Sequence, residues 1–407
     1  MNRNRTIAKK LAIVSLIAFA GVAHTSSAWA DKKYGPGVTD TEIKIGNTAP
    51  YSGPVSAFGS IAKTQAAYFK KINDEGGVNG RKINFISLDD AYSPPKTVEQ
   101  VRKLVELEEV FALFQNVGTP PNLAIQKYTN SKKVPALFVV STAEKIADPQ
   151  NYPWTMPWSA PASLEGKIFG TWLLKEKSNA KIAVLYQNDD FGKDYLKGLK
   201  SGLGDKATAM VVAEASYEVS DPTVDSQIIT LKASGADTLL AAVTPKFSAQ
   251  TIRKVYDIGW RPTFILSNGG ASVETSLKPA GLEKAIGLMT AYYGKTDSAT
   301  WKDDPAYQEY WAFMKKYYPE GNAEDGINTY GYAAAWAFVD LLKRCGDDLT
   351  RENLMRQATS LKNVVNPMLF PGITLNTSPT DYHPIEQMQM MRFDGTKWVR
   401  FGEILSN

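Results

Sequence analysis

From Ile43 onward, short apolar and β-branched runs alternate with amphipathic stretches, and this alternation limits the fold more than any other feature of the chain. Strand patterns at 43–47, 83–88, 110–114 and 136–140 are separated by helical patterns near 61–72, 97–107 and 121–129. The order then restarts, with helices near 162–177, 191–203, 225–234 and 247–258 among strands at 181–186, 209–215, 238–242 and 264–267. Repeated strand-helix units place their strands in parallel sheets covered by helices on both faces. Two such series predict an α/β protein with two doubly wound lobes. No solenoid period or low-complexity linker occurs, so short ordered hinges should join the lobes, the first near 154–160.

The stretch Ile43 to Gly59, IKIGNTAPYSGPVSAFG, ends its strand in a loop punctuated by Pro50, Gly53, Pro54 and Gly59 before a helix begins. A loop of this kind facing a helix N-terminus suits an anion, because unpaired N–H groups and the helix dipole converge there. It matches neither the dinucleotide fingerprint nor a phosphate loop ending in Lys-Ser/Thr, so an ordinary strand-helix turn is the competing reading.

Residues 1–30 carry Arg3, Arg5, Lys9 and Lys10, an apolar run from Leu11 to Ala23 and the small-residue exit Ala28-Trp29-Ala30. This predicts a cleaved secretory signal and a soluble, exported product. The apolar run is too short for a spanning helix, which needs roughly 20 residues. The leader holds four of the 46 basic residues and none of the 42 acidic ones, so the remainder is neutral. A neutral chain has no electrostatic footprint for nucleic acid or an anionic membrane, and neither partner is expected. The single cysteine, Cys345, follows the apolar helical stretch 333–342 and reads as a partly buried structural thiol. At 43% hydrophobic residues the chain has ample material for two cores.

Catalytic sets lack necessary parts. Beyond the leader there is one histidine, His383, and no C-x-x-C, H-E-x-x-H, G-x-S-x-G or Walker A motif, so no enzyme activity, cofactor or metal is expected. The acids Asp89-Asp90 and Asp189-Asp190 stand at strand ends, where carboxylates cap helices and hold turns; a metal site or acid/base pair is the alternative.

Several segments together are more specific than any of these: P-x-S-G-P-x-x-x-x-G from Pro50, N-D-E-G-G-V-N-G-R from Asn73 with the next strand closing on Asp89 and Asp90, VPALFVVSTAEK from Val134, IAVLYQNDDFGKD from Ile182 with its D-x-F-G-K turn, and ADTLLAAVT from Ala236. Their succession resembles the leucine/isoleucine/valine-binding proteins, a branch of the type I periplasmic solute-binding family, over essentially the whole chain after the leader. The resemblance implies two doubly wound α/β lobes with parallel sheets joined by three hinge crossovers. It divides the chain into 38–157 plus 292–370 and 158–291 plus 371–407, with the later crossovers near 287–293 and 368–372. It implies a monomeric periplasmic component of an ABC-type importer, which closes on a small ligand and presents it to a membrane permease. A sensory role feeding a chemoreceptor or kinase would use the same fold, and a secreted hydrolase is a further alternative that the missing histidine partner disfavours. In that family a disulfide often links the positions held here by Tyr92 and Gly118, and this chain lacks it.

Carried over residue by residue, the ligand shell of the first lobe falls on Phe58, on Gly118 and Thr119, and on Val140, Ser141 and Thr142. Ser141 and Thr142 would hold a carboxylate or simply cap a helix. Gly118 would let that carboxylate approach the backbone, or serve only as a turn. In the second lobe the shell falls on Phe191, Thr244 and Asn268. Tyr330 and Tyr332 would add aromatic faces or pack at the core or hinge. The family's amino-acid binders place an aromatic where Thr244 stands and an acid where Asn268 stands. Burying an ammonium without a counter-charge costs several kcal/mol. The resemblance with these departures, and with Lys246 nearby, favours a carboxylate ligand without an amino group, such as an aromatic or keto acid. A branched-chain or other amino acid remains the alternative, with its counter-charge from another acid such as Asp189 or Asp190.

Overall fold

Strand β1 (Glu42–Ala49) alternates half-buried and buried residues at its start and is buried from Ile45 to its end. It is an inner strand with neighbours on both sides and helices on both faces. The computed structural model describes residues 32–406, so the expected leader lies outside them. Around β1 stand β2 (Lys82–Asp89), β3 (Ala112–Phe114), β4 (Ala136–Val139) and β5 (Thr155–Pro157), all parallel, in the order β2-β1-β3-β4-β5. The connections are α1 (Gly59–Asp74), α2 (Pro94–Glu106) and α3 (Thr119–Ser131).

The second series runs α4 (Ala162–Glu176), β6 (Ile182–Gln187), α5 (Asp190–Leu203), β7 (Val211–Tyr217), α6 (Asp225–Ala233), β8 (Thr238–Ala242), α7 (Pro245–Asp257), β9 (Thr263–Leu266) and β10 (Met289–Tyr292). Helices α4 and α5 approach backbone to backbone: a Cβ at Gly198 would stand 2.1 Å from the Ser163 carbonyl. Strand β7 begins two residues later than expected, because Ala207–Met210 forms a helical turn first. Alanine and methionine favour that turn over extension.

Helices α8 (Pro305–Tyr317), α9 (Gly326–Cys345) and α10 (Arg351–Ala358) then return to the first lobe. Gly331 of α9 lies against the Ile61 carbonyl of α1, and Phe338 stacks on Phe114 at 4.4 Å. Cys345, at the end of α9, is buried, and burial pushes its thiol up to about 12. The chain closes with β11 (Gln387–Phe393) and β12 (Trp398–Ser406). These run antiparallel and complete the second sheet, β12-β11-β10-β9-β8-β6-β7. The parallel pattern therefore gives way at one edge, where a hairpin needs no crossover helix.

The chain passes between the lobes after Pro157, after Tyr292 and before β11. The last two passages lie side by side: Lys295 N–H donates to the Met368 carbonyl and Phe370 N–H to the Tyr293 carbonyl, both at 2.8 Å.

Candidate functional site

In each sheet the strand order reverses beside the first strand, between β1 and β3 in one lobe and between β6 and β8 in the other. Loops leaving neighbouring strands diverge at such a point and open a crevice at the carboxyl ends, which is where open α/β sheets bind ligands. Both crevices contribute to one cavity of 140 Å³. Phe58 follows β1, Thr119 follows β3, and Val140, Ser141 and Thr142 follow β4. Phe191 follows β6, Thr244 follows β8, and Asn268 follows β9. With Gly118 and Tyr330, ten of the eleven residues expected from the resemblance line this cavity.

Tyr332 is the exception. Its ring is buried in the first lobe's aromatic cluster, 4.9 Å from Tyr68 and 5.0 Å from Phe313. Two residues along an α-helix rotate a side chain by about 200°, so Tyr330 and Tyr332 cannot share a face. Tyr330 points to the cleft and hydrogen-bonds Ser159 at 3.0 Å.

Several helix N-termini meet at the cavity. Helix α3 begins at Thr119, α7 is preceded by Thr244, α9 begins at Gly326, and α5 starts one residue before Phe191. Their first-turn N–H groups supply positive potential without a formal charge. Ser141 and Thr119 join their hydroxyls at 2.8 Å. Among the described residues Thr142 Oγ1, Asn268 Nδ2, Thr290 Oγ1 and Thr296 Oγ1 are buried without a hydrogen-bond partner, and all four residues line the cavity. Each can donate to an acceptor, and leaving such a group unpaired costs about 1–3 kcal/mol.

At Gly118 the N–H donates to the Val140 carbonyl at 2.9 Å, and the Tyr92 ring stands where a side chain would be. Tyr92 itself lines the cavity. It is aimed by the turn that the paired aspartates hold: Asp89 accepts from Ala91 N–H at 3.0 Å and from Ser52 Oγ at 2.7 Å, and Asp90 accepts from Tyr92 N–H at 2.9 Å and Thr97 Oγ1 at 2.8 Å. Burial works against the charge of Asp89, yet the bonds from Ser52, Lys96 and Ala91 outweigh it and hold this carboxyl well below the usual range.

The charges named from sequence stand elsewhere. Lys246 turns away to the Asp221 carbonyl at 3.0 Å and over the Phe247 ring, so it brings no cation to the cavity. Asp189 caps α5 through Gly192 N–H at 3.2 Å, and Asp190 pairs with Lys145 at 2.7 Å. Neither lines the cavity, so neither supplies the counter-charge considered for an ammonium. The acid that does line it is Glu324, whose carboxylate accepts from the N–H and hydroxyl of Ser298. No lysine, arginine or histidine is among the lining residues.

Behind Asn268 lies Glu165, fully buried on α4. It accepts Asn268 N–H at 2.8 Å and is bonded to the Tyr195 hydroxyl, and burial raises its carboxyl to about 8. Phe191 covers Tyr195 edge-on at 5.3 Å.

Sequence reasoning missed Tyr92, Ser159, Gln187, Thr290, Tyr292, Tyr293, Glu324 and Trp398 as lining residues. A signal existed for Tyr92, since a large ring and a glycine occupy together the two places of the missing disulfide. Among the described residues no group of His, Cys, Asp or Glu is arranged for a metal, and no helix is long and apolar enough to cross a membrane.

Comparison with known proteins agrees with this architecture. The family model described as periplasmic binding protein matches residues 42–397. The Leu/Ile/Val-binding protein homolog 7 of Brucella abortus (strain 2308) is 24% identical over 323 residues, 76% of this chain and 79% of the relative. Homolog 1 of the same organism is 23% identical over 376 residues, 90% of this chain and 92% of the relative. Among solved structures, a branched chain amino acid ABC transporter protein from Thermus thermophilus with bound valine superposes with a TM-score of 0.79 at 16% identity, covering 91% of this chain and 98% of that one. A fatty acid ABC transporter substrate-binding protein from Thermomonospora curvata gives 0.77 at 23% identity, covering 92% and 95%. At these identities the structural likeness speaks for the fold, while the match of the family model over most of the chain places it: this protein belongs to the periplasmic binding protein family.

Proposed function

We propose that this chain is the periplasmic solute-binding component of an ABC-type importer, a monomer that encloses one small carboxylate between its lobes and delivers it to a membrane permease. The carrying observation is a group of unpartnered donors on the cavity, among them Thr142 Oγ1, Asn268 Nδ2, Thr290 Oγ1 and Thr296 Oγ1. They suit a ligand that brings acceptors. An aromatic acid is favoured over a branched-chain amino acid: the walls include Phe58, Tyr92, Phe191, Tyr292 and Tyr330, and Asn268 offers no charge to an ammonium. A cavity of 140 Å³ is close to the roughly 150 Å³ that accommodates a benzene ring. A keto acid of similar size fits the same chemistry.

One observation favours a second reading. Glu324 is an acid on the cavity, and an α-ammonium directed at it would find a counter-charge, which keeps an amino acid as the alternative ligand. Calorimetric titration of the ligand-stripped protein with benzoate, phenylpyruvate and leucine separates the two. Binding of an acid with no response to leucine supports the first reading. Tight leucine binding without response to either acid refutes it. In both cases the ligand should be recovered chemically unchanged, because the lining residues include no histidine, cysteine or lysine.

A further inference from the structure

We infer that Tyr92 sets the size of the ligand space and, through its hydroxyl, couples enclosure of the ligand to contact between the lobes; this rests on the cavity being the ligand site. Ala91 and Tyr92 have φ of 52° and 60°, a left-handed backbone that non-glycine residues hold only where the surroundings enforce it. The enforcing groups are the carboxylates of Asp89 and Asp90, which take the two N–H groups of this turn. The turn directs the ring over Gly118 and into the cavity, where it fills space that a larger ligand would otherwise use.

Tyr92 and Thr119 of the first lobe and Gln187, at the end of β6 in the second, line the cavity together. Gln187 in turn accepts from the Tyr217 hydroxyl at 3.2 Å, and that hydroxyl accepts Thr244 N–H at 3.3 Å at the start of α7. A hydrogen-bonded path therefore runs within the second lobe, from Gln187, which lines the cavity with Tyr92, to Thr244 on the same wall. Tyr92 and Gln187 stand on different lobes, so parting of the lobes separates them.

The test compares wild type, Tyr92→Ala and Tyr92→Phe by titration with two pairs of probes, benzoate with 2-naphthoate and leucine with tryptophan. Removing the ring should raise the affinity ratio of the larger to the smaller member of whichever pair binds by about tenfold or more. Removing only the hydroxyl should leave that ratio unchanged and weaken both members by about five- to tenfold, the worth of one hydrogen bond. An unchanged ratio in folded Tyr92→Ala overturns the size-setting role. Binding of the amino-acid pair alone refutes the acid reading of the ligand, and its ratio still decides the role of Tyr92. A ligand-independent measurement covers failure of the alanine variant to fold or of every probe to bind. Spin labels at Leu107→Cys and Ile229→Cys, one exposed position on each lobe, with Cys345→Ala, report the interlobe distance without added ligand. Tyr92→Phe should shift that distribution to longer distances, and an unshifted distribution overturns the inference.

Discussion

The ring of Tyr92 occupies the place that a side chain at Gly118 would need: a Cβ there would stand 2.3 Å from Tyr92 Cε2 and 2.9 Å from Cζ. The two residues hold the positions where the resembled family often carries a disulfide. A covalent tie is replaced by a packing contact, and that contact brings an aromatic face into the cleft.

Gly118→Ala should therefore destabilise the protein by about 2 kcal/mol or more, through the collision with Tyr92 and through a backbone φ of 106° that alanine tolerates poorly. Denaturant unfolding of Gly118→Ala, Tyr92→Ala and the double variant checks it. The double variant should be more stable than the sum of the two single losses predicts. Simple additivity would mean that the contact is not the cause.

Thr142→Ala and Asp90→Asn should separate binding from stability. Thr142 Oγ1 has no partner, so its removal should leave the unliganded protein as stable as before while weakening ligand binding by about tenfold or more. Asp90 holds the turn at Tyr92 and bonds Thr97, so Asp90→Asn should lower the melting temperature. Abolished binding in a folded Asp90→Asn protein together with normal binding by Thr142→Ala would put the ligand elsewhere.

Stability should decline as pH rises through the range in which Glu165 titrates. Burial raises its carboxyl from 4.5 to about 8 in the folded protein, so between these values the native state keeps a proton that the unfolded chain has released. The sign follows: this contribution is fully present below about pH 4.5 and is lost toward pH 8, at no more than about 1.4 kcal/mol per pH unit. Asp189 and Asp325 are also raised by burial, so their contributions have the same sign. Glu165→Gln should flatten the pH dependence of chemical denaturation between pH 5 and 8 relative to wild type. An identical slope in the variant would show that Glu165 is charged throughout.

Asn268→Asp should reverse the ligand preference. A carboxylate at this position repels an acid and offers a counter-charge to an ammonium, so calorimetry should show weakened benzoate or phenylpyruvate binding and new, weak leucine binding. Unaltered acid affinity would place the ligand away from Asn268.

The strand and helix series was legible because side-chain periodicity is local: a period near two or near 3.6 shows in a few residues, whatever they pack against. The family-specific segments carried part of the cavity as well, since Phe58, Ser141, Thr142 and Phe191 each follow a strand whose carboxyl end faces the cleft. Only the tertiary structure decided the rest. Tyr330 and Tyr332 are near-identical by sequence, and the rotation of α9 against the first sheet sends one ring to the cleft and the other to the core. Lys246 was close in sequence to Thr244, but its long side chain found the Asp221 carbonyl instead of the cavity. Glu324 and Trp398 reach the site from segments far apart in the chain, and Tyr92 reaches it through a left-handed turn that its own side chain does not favour. These placements depend on contacts between distant residues, whose geometry is fixed when the lobes pack, so no local pattern in the sequence encodes them.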